Sequence, residues 1–231
     1  MRWRAVLDAA ADLAWGGSCA ACGRPGPVCC QACDRTVREL APRRVRSGEG
    51  ADLIWARGDY AAELRALILA CKERQGLGLV PLLGDLALGS VAAVAYERGH
   101  GGALLLVPMP SSRATVAERG FDLTWLMARR VSGRLRRLGL DIRAARGLTL
   151  APGARDQVGL SVADRASNRL GRMRVRRLAP APMLLLDDIV TTGATLTAAG
   201  AALTAAGHQV LGAAVVAATP RLDGRGRPGR R

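Results

Sequence analysis

Apolar positions along this chain follow two rhythms, and they alternate. Trp3, Val6, Leu7, Ala10 and Leu13 recur at helical spacing and predict a short amphipathic helix at the N-terminus. An apolar stretch at Leu53–Trp55 with Tyr60 opens a second region. There Leu64, Leu67, Ile68 and Cys71 predict a helix over Glu63–Lys72, with Cys71 in the core, ended by a turn at Gly76 and Gly78. Residues 79–98 read as another helix, and Ala103–Val107 as a short buried strand stopped by Pro108 and Pro110. Phe121–Leu138 is helical in pattern, with Arg129, Arg130, Arg134, Arg136 and Arg137 on its polar face. After a short apolar run at Leu148–Leu150, residues 152–176 are polar and carry Gly153, Gly159 and Gly171. Met183–Leu186 is a wholly apolar strand, Ala194–Ala206 an Ala-rich helix, and Val210–Ala218 a last strand. Strands that alternate with helices predict an α/β fold with a mostly parallel sheet flanked by helices.

Composition narrows this little and charge more. Hydrophobic residues are 49% of the 231 but aromatics only 3%, so the core must be built mostly of Leu, Val and Ala. The 34 basic residues against 19 acidic give a formal charge of +15, a field that attracts polyanions. Lys72 is the only lysine. Near-total use of Arg, beside abundant Ala and Gly, also fits a GC-rich genome, so the charge reads either as nucleic-acid contact or as background composition. The five arginines of the 121–138 helix divide the same way, into a solvated face or a polyanion-binding strip. No apolar run reaches the ~20 residues of a bilayer span, and Asp8 and Asp12 interrupt the stretch a signal peptide needs. A cytoplasmic protein without a membrane span is expected.

Five of the six cysteines fall between Cys19 and Cys33. Cys19-x-x-Cys22 and Cys30-x-x-Cys33, joined by a Gly/Pro loop, can offer four thiolates to a tetrahedral structural zinc. Cys29 can replace Cys30 as third ligand or be a spare thiol. A redox or metal-free cluster is the alternative. Residues 1–35 thus form a helix and cysteine module, 36–50 (Pro42, Gly48, Gly50, several Arg) a linker, 51–219 the main domain, and 220–231 a disordered basic tail.

The main domain's chemistry centres on Asp187-Asp188 and on Thr191-Thr192-Gly193-Ala194-Thr195. An apolar strand ends at two carboxylates and turns through small hydroxyl residues into a helix. The helix N-terminus favours a phosphate, Gly193 lets the backbone come close, and the threonines add donors. Asp187 and Asp188 are placed to accept hydrogen bonds from a sugar diol and to help hold hydrated Mg²⁺. A Walker A loop is excluded, because no Gly-Lys-Ser/Thr follows. A receiver domain would have more chain after its acceptor Asp. The segment 183–195 resembles the signature of type I phosphoribosyltransferases, which bind 5-phosphoribosyl-1-pyrophosphate.

Further segments extend the resemblance. Val107-Pro108-Met109-Pro110 leads to Arg113 and then Glu118-Arg119-Gly120-Phe121; Arg155–Leu160 and Asp164–Asn168 follow. With the cysteine module in front, this order is similar to the ComF family of competence-associated proteins, from the cysteines to about residue 219. That family commonly continues Arg-Gly-Phe with Asn-Gln, where this chain has Asp122 and Leu123. The resemblance implies the phosphoribosyltransferase fold and a pyrophosphate side formed by the Val-Pro-Met-Pro turn with Arg113 and Arg119. It places Gln157, Arg165 and Asn168 on a covering segment. It also implies Mg²⁺ bound with phosphoribosyl pyrophosphate and a role in uptake of transforming DNA. The partners that follow are single-stranded DNA and a competence helicase or DNA-processing protein. Ordinary surface or capping polarity is the plain alternative for Arg113, Arg119 and the covering residues. No base-selecting constellation stands out. An active nucleobase phosphoribosyltransferase of salvage and a phosphoribosyl pyrophosphate-sensing regulator are the rival functions.

Overall fold

A computed structural model describes residues 17–45, 53–73, 76–150 and 173–220. The expected N-terminal helix, the covering segment with Gln157, Arg165 and Asn168, and the basic tail lie outside the described residues.

The cysteine loop leads into α1 (Gln31–Glu39), then β1 (Arg43–Val45) and β2 (Ile54–Asp59). Next come α2 (Ala62–Glu73), a 3-10 turn (Leu77–Leu79), α3 (Val80–Glu97) and β3 (Leu104–Pro108). They are followed by α4 (Arg113–Arg119), α5 (Leu123–Arg137), β4 (Ile142–Ala144), and the short strands β5 (Leu148–Leu150) and β6 (Met173–Val175). The chain then runs through β7 (Met183–Val190), α6 (Ala194–Ala205) and β8 (Val210–Ala218).

Six strands form one sheet in the order β1-β2-β8-β7-β3-β4. Only β1 is antiparallel to its neighbour; the other four pairings are parallel. The pairing of β5 with β6 makes a separate two-stranded ribbon. β7 and β8 are buried on both faces, as parallel central strands must be, and so read as unbroken apolar runs. On one face α2, α3 and α5 pack with Leu104, Leu106, Leu184, Leu186 and Val216. On the other, Leu196, Ala199 and Leu203 of α6 pack with Val107, Met183, Leu185 and Val215. The alternation of β7 residues between the two clusters is the period of two of a strand.

One backbone position is sterically dictated. Gly212 in β8 has φ +151°, and a Cβ there would lie 2.7 Å from the carbonyl oxygen of Leu53. The β7–β8 register shifts between Met183 and Leu184, and Leu184 faces Gly212. A bulge of this kind needs a residue without a side chain.

Two expectations change. The segment 36–50 is not a plain linker: within it α1 runs on to Glu39, and Arg43–Val45 pairs with Ile54–Ala56 as an edge strand. Val28 and Val37 join the main core, so the cysteine module packs on the domain. The stretch Leu77–Glu97 is, by length and composition, apolar enough to cross a membrane, contrary to the sequence expectation. It is a core helix here, with Leu83, Leu86, Ala87, Val91 and Val94 buried against the sheet and α5.

Arg130 leaves the expected row of solvated arginines. Its Nε and Nη2 each donate to Asp85 of α3 at 2.8 Å, and its stem lies over Gly84, where a Cβ would meet Arg130 Cδ at 2.9 Å. Arg129, Arg134, Arg136 and Arg137 stay exposed.

Candidate functional site

β3 and β7 are neighbours, yet the chain leaves them in opposite directions. From β3 it goes through α4 and α5 to β4 at one edge; from β7 it goes through α6 to β8 on the other side. Their carboxyl ends therefore border a topological switch point, where open α/β sheets form a crevice. A cleft of about 110 Å³ lies there, lined by Met109 and Pro110 beyond β3, by Ser112 and Thr115, by Asp187 and Asp188 of β7, and by Thr195 beyond it.

β7 extends through both carboxylates to Val190, further than the expected Met183–Leu186. Strand alternation sends the buried Asp188 towards the α2 face, where Lys72 Nζ stands 2.6 Å from Asp188 Oδ2. Asp187, half-buried, takes the other face, and its Oδ1 accepts from the Asp188 N–H at 2.9 Å. Gly193 then turns the chain in the left-handed region, φ +87°, as N-cap of α6. Thr192 Oγ1 accepts from the Ala194 N–H at 3.3 Å, while Thr191 and Thr192 are exposed. Of the five loop residues Thr195 alone lines the cleft, and Ala194 opens the helix.

Opposite, the turn after β3 is held by Asp122. This carboxylate caps α5 at the Trp125 N–H, accepts from Ser111 Oγ and Thr124 Oγ1, and pairs with Arg146 Nη1 at 2.8 Å. Arg146 in turn lies over the Trp125 ring, 4.4 Å from its centroid. The single Thr124 hydroxyl proton is shared between Asp122 Oδ1 at 3.1 Å and the nearer Met109 carbonyl at 2.8 Å. Asp122 is thus a charged cap that fastens the cleft's rim, and Leu123 is fully buried. Arg119 lines the cleft and donates from Nε to the Lys72 carbonyl at 3.2 Å. Arg113 is exposed at the start of α4 and is not among the cleft residues.

Lys72 is the functional candidate that the sequence reading passed over. Burial works against its charge, but Asp188, by charge and hydrogen bond, and then Asp187, more than offset this and hold its pKa above the ordinary value. The two carboxylates are the hard oxygen donors that magnesium takes. Yet the ammonium already stands against Asp188 Oδ2, so a magnesium ion taking that oxygen would have to displace it.

In the N-terminal module the sulfurs of Cys19, Cys22, Cys30 and Cys33 all lie within 4.8 Å of one another. Metal–sulfur bonds of about 2.3 Å in a tetrahedron imply sulfur–sulfur edges of about 3.8 Å. Cys22 Sγ and Cys30 Sγ are 3.7 Å apart, so the group fits a tetrahedral ion. The Cys30 N–H points to Cys19 Sγ at 3.4 Å. Burial disfavours the Cys19 thiolate, but the backbone N–H groups of Cys30, Cys22 and Ala21 outweigh it and bring the pKa down to about 6. Cys29 stands outside the group: burial, then the neighbouring Cys19 and Asp34, push its thiol up to about 12. Cys71 is fully buried, as expected.

A larger cavity of about 520 Å³ lies away from both sites, between α6 and the start of β8, lined in part by Leu53, Arg98, Leu196, Thr197 and Leu211. It holds none of the expected residues.

The chain matches no protein-family model and no curated protein. Among solved structures it is similar to the UMP synthase of Leishmania donovani, at 14% identity and a TM-score of 0.36 over 81% of this chain. It spans only 31% of that protein. It is also similar to a phosphoribosyltransferase from Corynebacterium diphtheriae, at 20% identity and a TM-score of 0.31 over 81% of each chain. At these scores the architecture rests on the strand order and the position of the cleft, not on the neighbours.

Proposed function

We propose that the main domain is a phosphoribosyltransferase-type module that binds a ribose 5-phosphate ligand, with 5-phosphoribosyl-1-pyrophosphate as its natural form. One observation carries this reading. Two adjacent carboxylates lie near the carboxyl end of a central strand at the switch point, and a threonine-rich loop then opens a helix after them. The carboxylates suit a vicinal diol, and the loop and helix N-terminus suit a phosphate one sugar length away. Arg119 is the cleft's arginine for a second anionic group; Arg113, being outside the cleft, contributes only through the general field. Cys19, Cys22, Cys30 and Cys33 hold a structural zinc that fixes the N-terminal module on the domain.

The chain as a whole reads as a ComF-like cytoplasmic protein acting in DNA uptake. The order of its motifs supports this, with the exposed arginines of α5 as contacts for single-stranded DNA and a helicase or DNA-processing protein as partner. Transfer to a nucleobase is the less favoured reading, because the cleft residues named above include no aromatic platform for a base.

The test is calorimetric titration of the zinc-loaded protein with phosphoribosyl pyrophosphate and with ribose 5-phosphate. Both should bind. Asp187→Asn/Asp188→Asn should weaken binding roughly a hundredfold, as expected for two lost charge-assisted hydrogen-bond acceptors. Equal affinity in the folded double variant would place the ligand elsewhere and end this reading.

A further inference from the structure

Of the 34 basic residues, 33 are arginine and one is lysine. Arginine is this chain's default cation, so the single exception marks a place where a guanidinium does not serve. That place is the last turn of α2, from which Lys72 reaches the buried Asp188. A guanidinium is wide and planar, whereas an ammonium is compact and can stand between a carboxylate and a small anion. Lys72 and Asp188 both line the cleft, with the Lys72 side chain 28% exposed and that of Asp188 8%. Its backbone is held as well, by Arg119 donating to the Lys72 carbonyl.

We propose that Lys72 is the resident cation of the cleft: its ammonium occupies the position beside Asp188 that a divalent ion would otherwise take, and it contacts the anionic group of the bound ribose phosphate directly. The inference rests on the ribose-phosphate reading above and deepens it. Ligand binding by this chain is then largely independent of magnesium. A divalent ion and Lys72 compete for one carboxylate, since two cations cannot share it without mutual repulsion.

The experiment compares the zinc-loaded wild-type protein with Lys72→Met and Lys72→Gln; the glutamine variant keeps an N–H donor for Asp188 and so guards against loss of the fold. Phosphoribosyl pyrophosphate is titrated by calorimetry in magnesium-free buffer and again with Mg²⁺, and Mn²⁺ binding to the ligand-free proteins is followed by electron paramagnetic resonance. Wild-type affinity should differ by less than about threefold between the buffers. The variants should lose roughly tenfold or more without magnesium and recover most of it with magnesium, and their own Mn²⁺ affinity should rise by roughly tenfold. Folded variants with wild-type ligand affinity in both buffers and unchanged Mn²⁺ binding would overturn the proposal and leave Lys72 a structural partner of Asp188. If the wild type binds no sugar phosphate in either buffer, the ribose-phosphate reading fails first. The Mn²⁺ arm then still decides whether Lys72 holds the cation position.

Discussion

Asp85 on α3 joins three elements through one buried carboxylate, and its removal is expected to loosen all three. Its side chain is 8% exposed. It accepts two hydrogen bonds from Arg130 of α5 at 2.8 Å each, and it lies 3.8 Å from Arg134 Nε and 3.7 Å from Arg38 Nη1 of the cysteine module. Arg134 and Arg38 are nearly half exposed, so water screens them and their shares are small. The bidentate Arg130 pair carries the effect. Breaking a fully buried pair costs about 3–5 kcal/mol, but Arg130 is a quarter exposed and can rehydrate in part, which lowers the expectation to about 2–3 kcal/mol. For a chain of this size that is a fall in Tm of roughly 5–10 °C for Asp85→Ala. Burial alone would raise the Asp85 pKa; the hydrogen bonds and charge of Arg130, with Arg134 and Arg38, depress it instead. The contribution is therefore complete above the unfolded carboxyl value of about 3.9 and is lost as pH falls through the depressed folded value. The gap between wild type and Asp85→Asn in urea denaturation should be constant from neutral pH down to about 5 and close below about 4. A double-mutant cycle with Arg130→Ala reads the pair directly. A coupling below about 0.5 kcal/mol would refute the reasoning, because it would mean that Asp85 and Arg130 act as independent surface charges.

Two further outcomes are expected. Purified protein should carry one zinc per chain, and Cys22→Ser or removal of the metal should lower Tm and expose the amides of α1 to hydrogen exchange; a metal-free preparation with unchanged Tm would refute the site. Single-stranded DNA should bind with a salt slope of about −3 if the four exposed α5 arginines each neutralise a phosphate, and Arg136→Gln/Arg137→Gln should flatten that slope by about 1.4; a salt-independent affinity would dismiss the strip.

What could be read in advance was local. The β7–loop–α6 unit is legible because strand period, paired carboxylates, a glycine turn and a helix start follow one another without a break. The cysteine group is legible for the same reason, although only the fold separates Cys30 from Cys29. Residues one position apart differ by a helix start: Cys30 is the N-cap of α1, and its sulfur turns to Cys22. Tertiary partners were not legible. Lys72 belongs in sequence to an apolar helix, and nothing near it announces Asp188. Arg130 looks like its neighbours until Gly84 provides the flat place on which its stem lies. The edge strand β1 was hidden by composition, since Arg and Gly around Pro42 resemble a linker and only pairing with β2 makes them a strand. Asp122 stood out as a departure from a family pattern, whereas its work as a cap and as partner of Arg146 depends on the turn after β3.

The position of β8 bears on how the protein is made. β8 is the last described strand, yet it lies between β2 and β7 and pairs with both. Until it has left the ribosome, β1 and β2 have no strand pairing with the rest of the sheet, and β7 presents a bare apolar edge beside β3. The nascent chain therefore waits, with two partial sheets, for the nine residues of β8. A stop codon or frameshift before residue 210 would remove the seam that joins the halves, and such a product is a substrate for chaperones and proteases, not a weaker version of the same molecule.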